Sequence, residues 1–115
     1  MYVDDLTRVH HMRDAACEAI RFAEGKTRRA LDEDRQLALA LVKCIEIVGE
    51  AAAGVTQEFR ERHAEIPWSG IVAMRNRLIH GYFDIDLDRV WDTVVSNLPP
   101  LVAALETIVR AQGQR

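Results

Sequence analysis

The sequence predicts an all-α fold, an up-and-down bundle of four to five helices that forms one domain over residues 1–115. Apolar residues recur at three- and four-residue steps through most of the chain, and no segment shows the sustained alternation typical of a strand. The composition is 49% hydrophobic and 29% charged, which is that of a soluble globular protein. At 115 residues the chain is long enough for one hydrophobic core and too short for two.

Two amphipathic helices are predicted in the N-terminal half. The first spans 4–23, and the second begins at Asp32 after a break in the apolar pattern. The second helix is apolar on two sides, because Leu39, Val42 and Ala53 lie opposite its wide apolar face. A helix that is apolar on two sides is buried on two sides. We therefore expect it to face both its own core and a second subunit.

The C-terminal half is predicted to contain two further helices after a short charged one. One follows Pro67, runs over 68–80 and is stopped by Gly81. The last helix spans about 86–111, and roughly four residues beyond it form a tail. Its apolar register continues across the Pro99-Pro100 pair, so we expect one long helix with a kink at the prolines.

Charge and cysteine usage restrict the kinds of partner and compartment. The net charge of −3 means that contact with a nucleic acid must come from a local basic patch. Cys17 and Cys44 lie on apolar helical faces without metal-ligand spacing, which indicates reduced core residues. No stretch approaches the roughly 18 uninterrupted apolar residues that a membrane span needs. We expect a cytoplasmic protein with no membrane contact.

The segment PWSGIVAMRNRLIHGYFDID contains the candidate chemistry. A helical wheel places Arg75 at the centre of an apolar stripe, one turn from Ile71 and one from Ile79. An unpaired guanidinium in a dry core costs several kcal/mol, so Arg75 needs a carboxylate, a cleft or a ligand anion. Pairing with Glu46 or Glu50, or a stem that carries the charge out to solvent, is the structural interpretation.

His80 occupies the last turn of the same predicted helix. The helix dipole favours the cationic form of a histidine at this position, so a purely capping role is one interpretation. The other interpretation is catalytic, because histidine is the side chain whose ordinary pKa lies near neutral pH. The residues alone leave both interpretations open.

The run RNRLIHGY contains Arg75, Asn76, His80 and Tyr82, and it resembles the R-x-x-x-x-H-x-Y signature of HepT toxins in the HEPN superfamily of helical ribonucleases. The resemblance extends over about residues 1–110 and includes IEIVGEAA, IPW and DIDLDRVW. It implies a HEPN-like homodimer that cleaves RNA as the toxin of a toxin–antitoxin pair, without metal or cofactor. Its active site would form where the motifs of the two subunits meet.

The resemblance also implies a role for each motif residue. Arg75 would bind the scissile phosphate and stabilise its transition state, and His80 would act as general acid and base. Asn76 would hold the imidazole or the phosphate through a hydrogen bond. Arg77, on the solvent side of the wheel, is either a contact to a backbone phosphate or a solvated side chain.

Tyr82 is implied to be the point of control. The antitoxin of such systems, an MNT-type nucleotidyltransferase, would transfer AMP from ATP to this tyrosine. Added phosphate two residues from His80 would place charge and bulk where the substrate phosphate must lie. The alternative for Tyr82 is an ordinary exposed or half-buried tyrosine. The alternative for the whole protein is a non-catalytic HEPN-like dimer that binds nucleotides or acts as a scaffold.

Overall fold

The computed structural model describes residues 4–80 and 84–113. The all-α prediction is confirmed for this part of the chain, with one short hairpin added. The elements in chain order are α1 (Asp5–Ala23), α2 (Ala30–Glu33), α3 (Arg35–Ala53), α4 (Gln57–Arg62), α5 (Trp68–Met74), a 3-10 turn (Arg75–Arg77), β1 (Ile79–His80), β2 (Asp84–Ile85), α6 (Leu87–Asp92), a π segment (Thr93–Asn97) and α7 (Leu98–Gly113). Helix α1 packs against α3 and α7, and α3 packs against α5.

The two long N-terminal helices each begin at an aspartate that accepts a backbone hydrogen bond. Asp4 accepts from the Thr7 N–H at 2.7 Å, and this bond lowers the pKa of the Asp4 carboxyl below its ordinary value. Asp34 accepts from the Leu37 N–H at 3.1 Å. The prediction that the second helix begins at Asp32 is therefore wrong. Extended backbone at Asp34 separates the short α2 from α3.

Helix α3 lies at the centre of the fold, between α1 and α5. Val42 is only 5% exposed, so it belongs to the core of its own subunit, and its predicted place facing a second subunit is wrong. The physical reason is that Val42 lies about two turns before Gly49, on the side of α3 that packs against α5 of the same chain. Leu39 remains 45% exposed, and Ala53 is also exposed. These two positions remain available to a partner.

Two arginines surround the C-terminal end of α3, at a place we call the Gly54 corner (Arg8, Gly54 and Arg60). The Arg60 Nη2 donates to the carbonyls of Ala52 at 2.9 Å and Ala53 at 3.3 Å. The Arg8 guanidinium lies directly over Gly54 and occupies the space that a Cβ there would need. Both cations meet the negative end of the helix dipole. Their role at this corner is structural.

The C-terminal third forms one continuous helical stretch, as predicted, with an irregularity before Pro99 and Pro100. The Leu98 N–H bonds to the Thr93 carbonyl, five residues back, which is the pattern of a π turn. A proline ring collides with the carbonyl four residues before it in a regular α-helix, and the wider turn relieves that collision. Helix α7 ends at Gly113, slightly beyond the predicted end.

Length and composition alone would allow Leu87–Gln112 to cross a membrane. One face of this stretch is nevertheless part of the core, because Val90, Val94, Leu98 and Leu105 are essentially fully buried. Helix α7 and the π segment both pack against α1. The buried face is that of a core helix.

Candidate functional site

The segment from α5 to β2 changes conformation twice within a few residues. The α-helix ends at Met74, a 3-10 turn follows, and β1 then pairs antiparallel with β2, with His80 opposite Asp84. The predicted helix over 68–80 is therefore too long. Leu78 is fully buried, and its carbonyl accepts from the Asp86 N–H at 2.6 Å, which closes the hairpin. This pairing replaces the last predicted helical turn.

Helix α5 is anchored at its N-terminal end. The Trp68 Nε1 donates to the His63 carbonyl at 3.0 Å, and the indole ring meets the Phe59 ring edge to face, with centroids 6.2 Å apart. Trp68, Ile71 and Leu78 are buried, which confirms these members of the predicted apolar stripe. The anchored helix fixes the position from which Arg75 projects.

Arg75 is half-buried and lies across a glycine of α3. A Cβ added at Gly49 would lie 3.7 Å from the Arg75 Cδ and 3.4 Å from the Ile71 carbonyl oxygen. The absence of a side chain at Gly49 therefore brings the backbones of α3 and α5 together. The aliphatic stem of Arg75 crosses α3 at this point, as the apolar part of a long cationic side chain commonly does.

The Arg75 guanidinium makes no hydrogen bond and no ion pair with any residue of 4–80 or 84–113. Glu46 lies near Lys43 instead, at 4.0 Å, and Glu50 is exposed without contacting Arg75. The interpretation in which Arg75 pairs with either glutamate is therefore wrong. Its stem packs on α3 and its charge has no partner among the described residues. This fits the interpretation in which the stem carries the charge out to solvent, and it also fits a cation that can receive an anion.

The other predicted site residues divide into three groups. Asn76 and Arg77 are exposed, and Arg77 diverges from Arg75 because two positions on a 3-10 turn point in different directions. The backbone of His80 lies in β1, the element that follows the 3-10 turn of Arg75 in the chain. The side chain of His80 lies outside the described part of the structure. Tyr82 and Gly81 also lie outside the described residues.

A cavity of about 620 Å³ lies between α5 and the C-terminal helical stretch, and Arg77 lines it. It was not predicted from the sequence. The Pro99-Pro100 pair was the available signal, because two prolines require an irregular turn before them. That turn contributes Thr93 and Asn97 to the cavity wall. Within 4–80 and 84–113, no three His, Cys, Asp or Glu side chains come together as a metal site.

Comparison with known proteins identifies relatives over most of the chain. The model of the family described as ribonuclease HepT-like matches residues 12–108. A protein of Thermococcus cleftensis named as a ribonuclease HepT is 36% identical over 95 residues, which are 79% of this chain and 86% of that protein. A protein of Caldanaerobacter subterraneus subsp. tengcongensis named as an RNase is 36% identical over 80 residues, 70% of this chain and 71% of that protein.

A more distant relative agrees with these two. A protein of Methanocaldococcus jannaschii named as an RNase is 30% identical over 95 residues, which cover 83% of this chain and 87% of that protein. No solved structure gives a significant match. The family match contains the whole segment from α5 to the hairpin, with Arg75 and His80 inside it. This chain belongs to the HepT-like ribonuclease family.

Proposed function

We propose that this protein is an endoribonuclease that cleaves RNA without a metal ion, as the toxin of a toxin–antitoxin pair. One observation carries the proposal: the Arg75 guanidinium, inside the family match, is held by its stem and has no counter-ion among the described residues. A positive group fixed in this way is suited to the phosphate of a nucleic acid. The relatives named as ribonucleases make RNA the substrate to test.

In the proposed reaction, the 2′-oxygen of the ribose attacks the adjacent phosphorus and the bond from phosphorus to the 5′-oxygen breaks. The 2′-OH gives its proton to a base, and the departing 5′-oxygen receives a proton from an acid. His80 would perform these transfers, because imidazole exchanges protons near neutral pH. Arg75 would stabilise the extra negative charge on the phosphorane oxygens. The products are a 2′,3′-cyclic phosphate and a 5′-OH.

The proposed active unit is a homodimer in which Arg75 and His80 of two copies line one groove. Apolar side chains left exposed by a single chain support the association, since Leu39 on α3 and Val95 on the π segment are each 45% exposed. Asn76, which is exposed beside Arg75, would hold the imidazole or the phosphate. Arg77 would contact a backbone phosphate of the RNA.

Control of the activity is proposed to act through Tyr82. An MNT-type nucleotidyltransferase would transfer AMP from ATP to the tyrosine oxygen and release pyrophosphate, which places a phosphate close to His80 in sequence. Incubation with the cognate transferase and ATP should raise the intact mass by AMP units. The Tyr82→Phe variant should show no gain, and an equal gain in that variant would assign the modification elsewhere.

The test of the nuclease itself uses purified protein and total RNA in excess chelator. We expect cleavage with cyclic phosphate ends by the unmodified protein, and a loss of at least about 10²-fold in His80→Ala or Arg75→Ala protein that is folded and in the same oligomeric state. Normal cleavage by either variant would refute the assignment of that residue. Binding of RNA without cleavage by the unmodified protein would favour the non-catalytic nucleotide-binding dimer.

A further inference from the structure

The cavity between α5 and the C-terminal helical stretch has an apolar floor. Ile71 and Met74 of α5 face Leu98 and Leu101 of α7 across it. Its volume of about 620 Å³ falls in the range of roughly 300–1,000 Å³ that is typical of small-molecule sites. A flat ring can be buried against such a floor through dispersion and loss of apolar surface to water.

Several polar groups at the rim of the cavity are already engaged. Asp88 accepts from the Arg28 Nε at 2.6 Å, and this bond raises the pKa of the Arg28 guanidinium. Asp86 accepts from the Arg89 N–H at 3.1 Å as the cap of α6. The Thr93 hydroxyl donates to the Arg89 carbonyl at 2.7 Å. These groups hold the wall together.

Three other polar side chains at the rim have no such engagement. Arg77, Asp92 and Asn97 are exposed and make no side-chain hydrogen bond or ion pair with the described residues. They offer a cation, an acceptor-only carboxylate and an amide that both donates and accepts. The Asp92 carboxylate repels a phosphate, but it can accept hydrogen bonds from the N–H groups on the edge of a neutral nucleobase. The set therefore matches a nucleobase whose phosphate lies towards Arg77.

We propose that this cavity binds one guanine base of the RNA substrate, close to the scissile linkage, with Asp92 and Asn97 as the residues that select it. Guanine has a ring N–H beside an amino group, so one carboxylate can accept from both. Arg77 lines the cavity and Arg75 begins the same 3-10 turn, so the base would lie a short distance along the RNA from the phosphate that Arg75 is proposed to bind. This inference rests on RNA being the substrate, as in the proposed function.

Gly70 provides a way to close the cavity without disturbing the fold. It lies on the cavity wall in α5, and a Cβ built there meets no atom within 4 Å. Gly70→Leu would therefore extend into open space, and it also replaces a residue that disfavours helix. The matched control is Ser96→Leu, an exposed position of the π segment that does not line the cavity.

The first experiment reads the base preference of cleavage. Sequencing the ends produced from a randomised RNA should show guanine enriched at one fixed position near the cut. Gly70→Leu and Asp92→Asn should reduce that enrichment at least about fivefold while the protein still cuts, since one specific base contact discriminates by that factor or more. Ser96→Leu should preserve it. A cleaving protein with no guanine preference, or a Gly70→Leu variant with an unchanged pattern, would overturn the proposal.

The second experiment measures binding and is independent of cleavage. Titration of the four nucleoside 5′-monophosphates into His80→Ala protein should give the tightest binding for GMP, by roughly tenfold over the others. Gly70→Leu and Asp92→Asn in the same background should remove this preference. Selective GMP binding, together with no RNA cleavage by the unmodified protein, would refute the nuclease and retain the pocket. Equal binding of all four would refute the pocket whether or not RNA is cut.

Discussion

Arginines cross the same helix at two places, and the two places differ in what the charge does. At the Gly54 corner, the Arg60 Nη2 donates to two backbone carbonyls of α3, at 2.9 and 3.3 Å. The second place is Gly49, which precedes Gly54 on α3 by about one and a half turns. Arg75 passes Gly49 and makes no hydrogen bond to any described residue. The comparison separates a cation that completes the fold from a cation without a partner among the described residues, which we propose binds the RNA phosphate.

The two glycines show the same difference. The space beside Gly54 is filled by the charged head of Arg8, whereas the atom of Arg75 nearest to the Cβ position of Gly49 is the Cδ of its stem, at 3.7 Å. A glycine at the first place accommodates a charge, and at the second it accommodates the methylenes that carry a charge onward. Substitutions around Gly54 and around Gly49 should therefore alter different properties of the protein.

The largest expected effect is that of Arg75→Ala on RNA cleavage. Removing one preorganised donor to a developing oxyanion typically lowers kcat about 10²–10³-fold, and we expect a loss of this size. Stability should change by at most about 1 kcal/mol, because the charge has no partner among the described residues and only the packing of the stem on α3 is lost. Cleavage assays and thermal unfolding of the same preparation measure both quantities. Full activity of the variant, or a large loss of stability, would show that Arg75 serves the fold, as Arg60 does, and not the cleavage reaction.

A smaller effect on cleavage is expected when Gly49 is enlarged. Gly49→Ala adds an atom at ordinary contact distance and should retain activity, whereas Gly49→Val should displace the Arg75 stem. A displacement of about 1 Å can lower the rate about 10²-fold, and we expect a loss between 10-fold and 100-fold for the valine variant. The alanine variant is the control. Equal activity of the two would show that the position of the stem is unimportant.

Arg60→Ala should give the opposite of what we expect for Arg75→Ala, with lower stability and unchanged cleavage. It leaves the Ala53 carbonyl without its donor, while the Ala52 carbonyl keeps the Val55 N–H at 3.2 Å, so we expect a loss of about 1–2 kcal/mol in the free energy of unfolding. Cleavage by the folded fraction should be unchanged. Denaturant unfolding of this variant beside Arg75→Ala measures the contrast, and lost cleavage without lost stability would contradict it.

The smallest expected effect concerns Cys44, a buried thiol of α3 whose pKa is raised by burial to about 11. A pKa higher in the folded state stabilises the fold below the ordinary value of 9.0, and this contribution is lost as pH rises from there towards 11. At pH 8 we expect alkylation of Cys44 to be slower than that of an ordinary thiol, because burial both raises its pKa and limits access of the reagent. Arg75→Ala should leave this rate unchanged, while Arg60→Ala should raise it through more frequent opening.

The helices that build the core were predictable from the sequence because local signals and burial agree there. Helix α1 has its apolar residues at helical spacing, and the end of α3 is marked by Gly54. The start of α3 was misplaced because Asp32 and Asp34 are equally good caps by type, and only the extended backbone at Asp34 distinguishes them.

The candidate site was less predictable, because contacts between distant residues decide it. The apolar stripe continues through Leu78, so periodicity extends the helix where the Leu78–Asp86 bond instead forms a hairpin. The proposal that Arg75 is a site residue followed from its place on that stripe and from the motif. Its position over Gly49 could not follow, because a helical wheel does not show which helix lies opposite.

The π segment determines where the C-terminal helix can lose a residue without disturbing the core. A π turn holds one residue more than the α turn it replaces, so Thr93–Asn97 contains a surplus residue. Shortening the chain by one residue there would leave Leu105 and Ile108 on the inner side of α7. The same deletion farther along would rotate them by about 100° into water. Changes in chain length can therefore accumulate at this turn while the hydrophobic seam beyond it keeps its alignment.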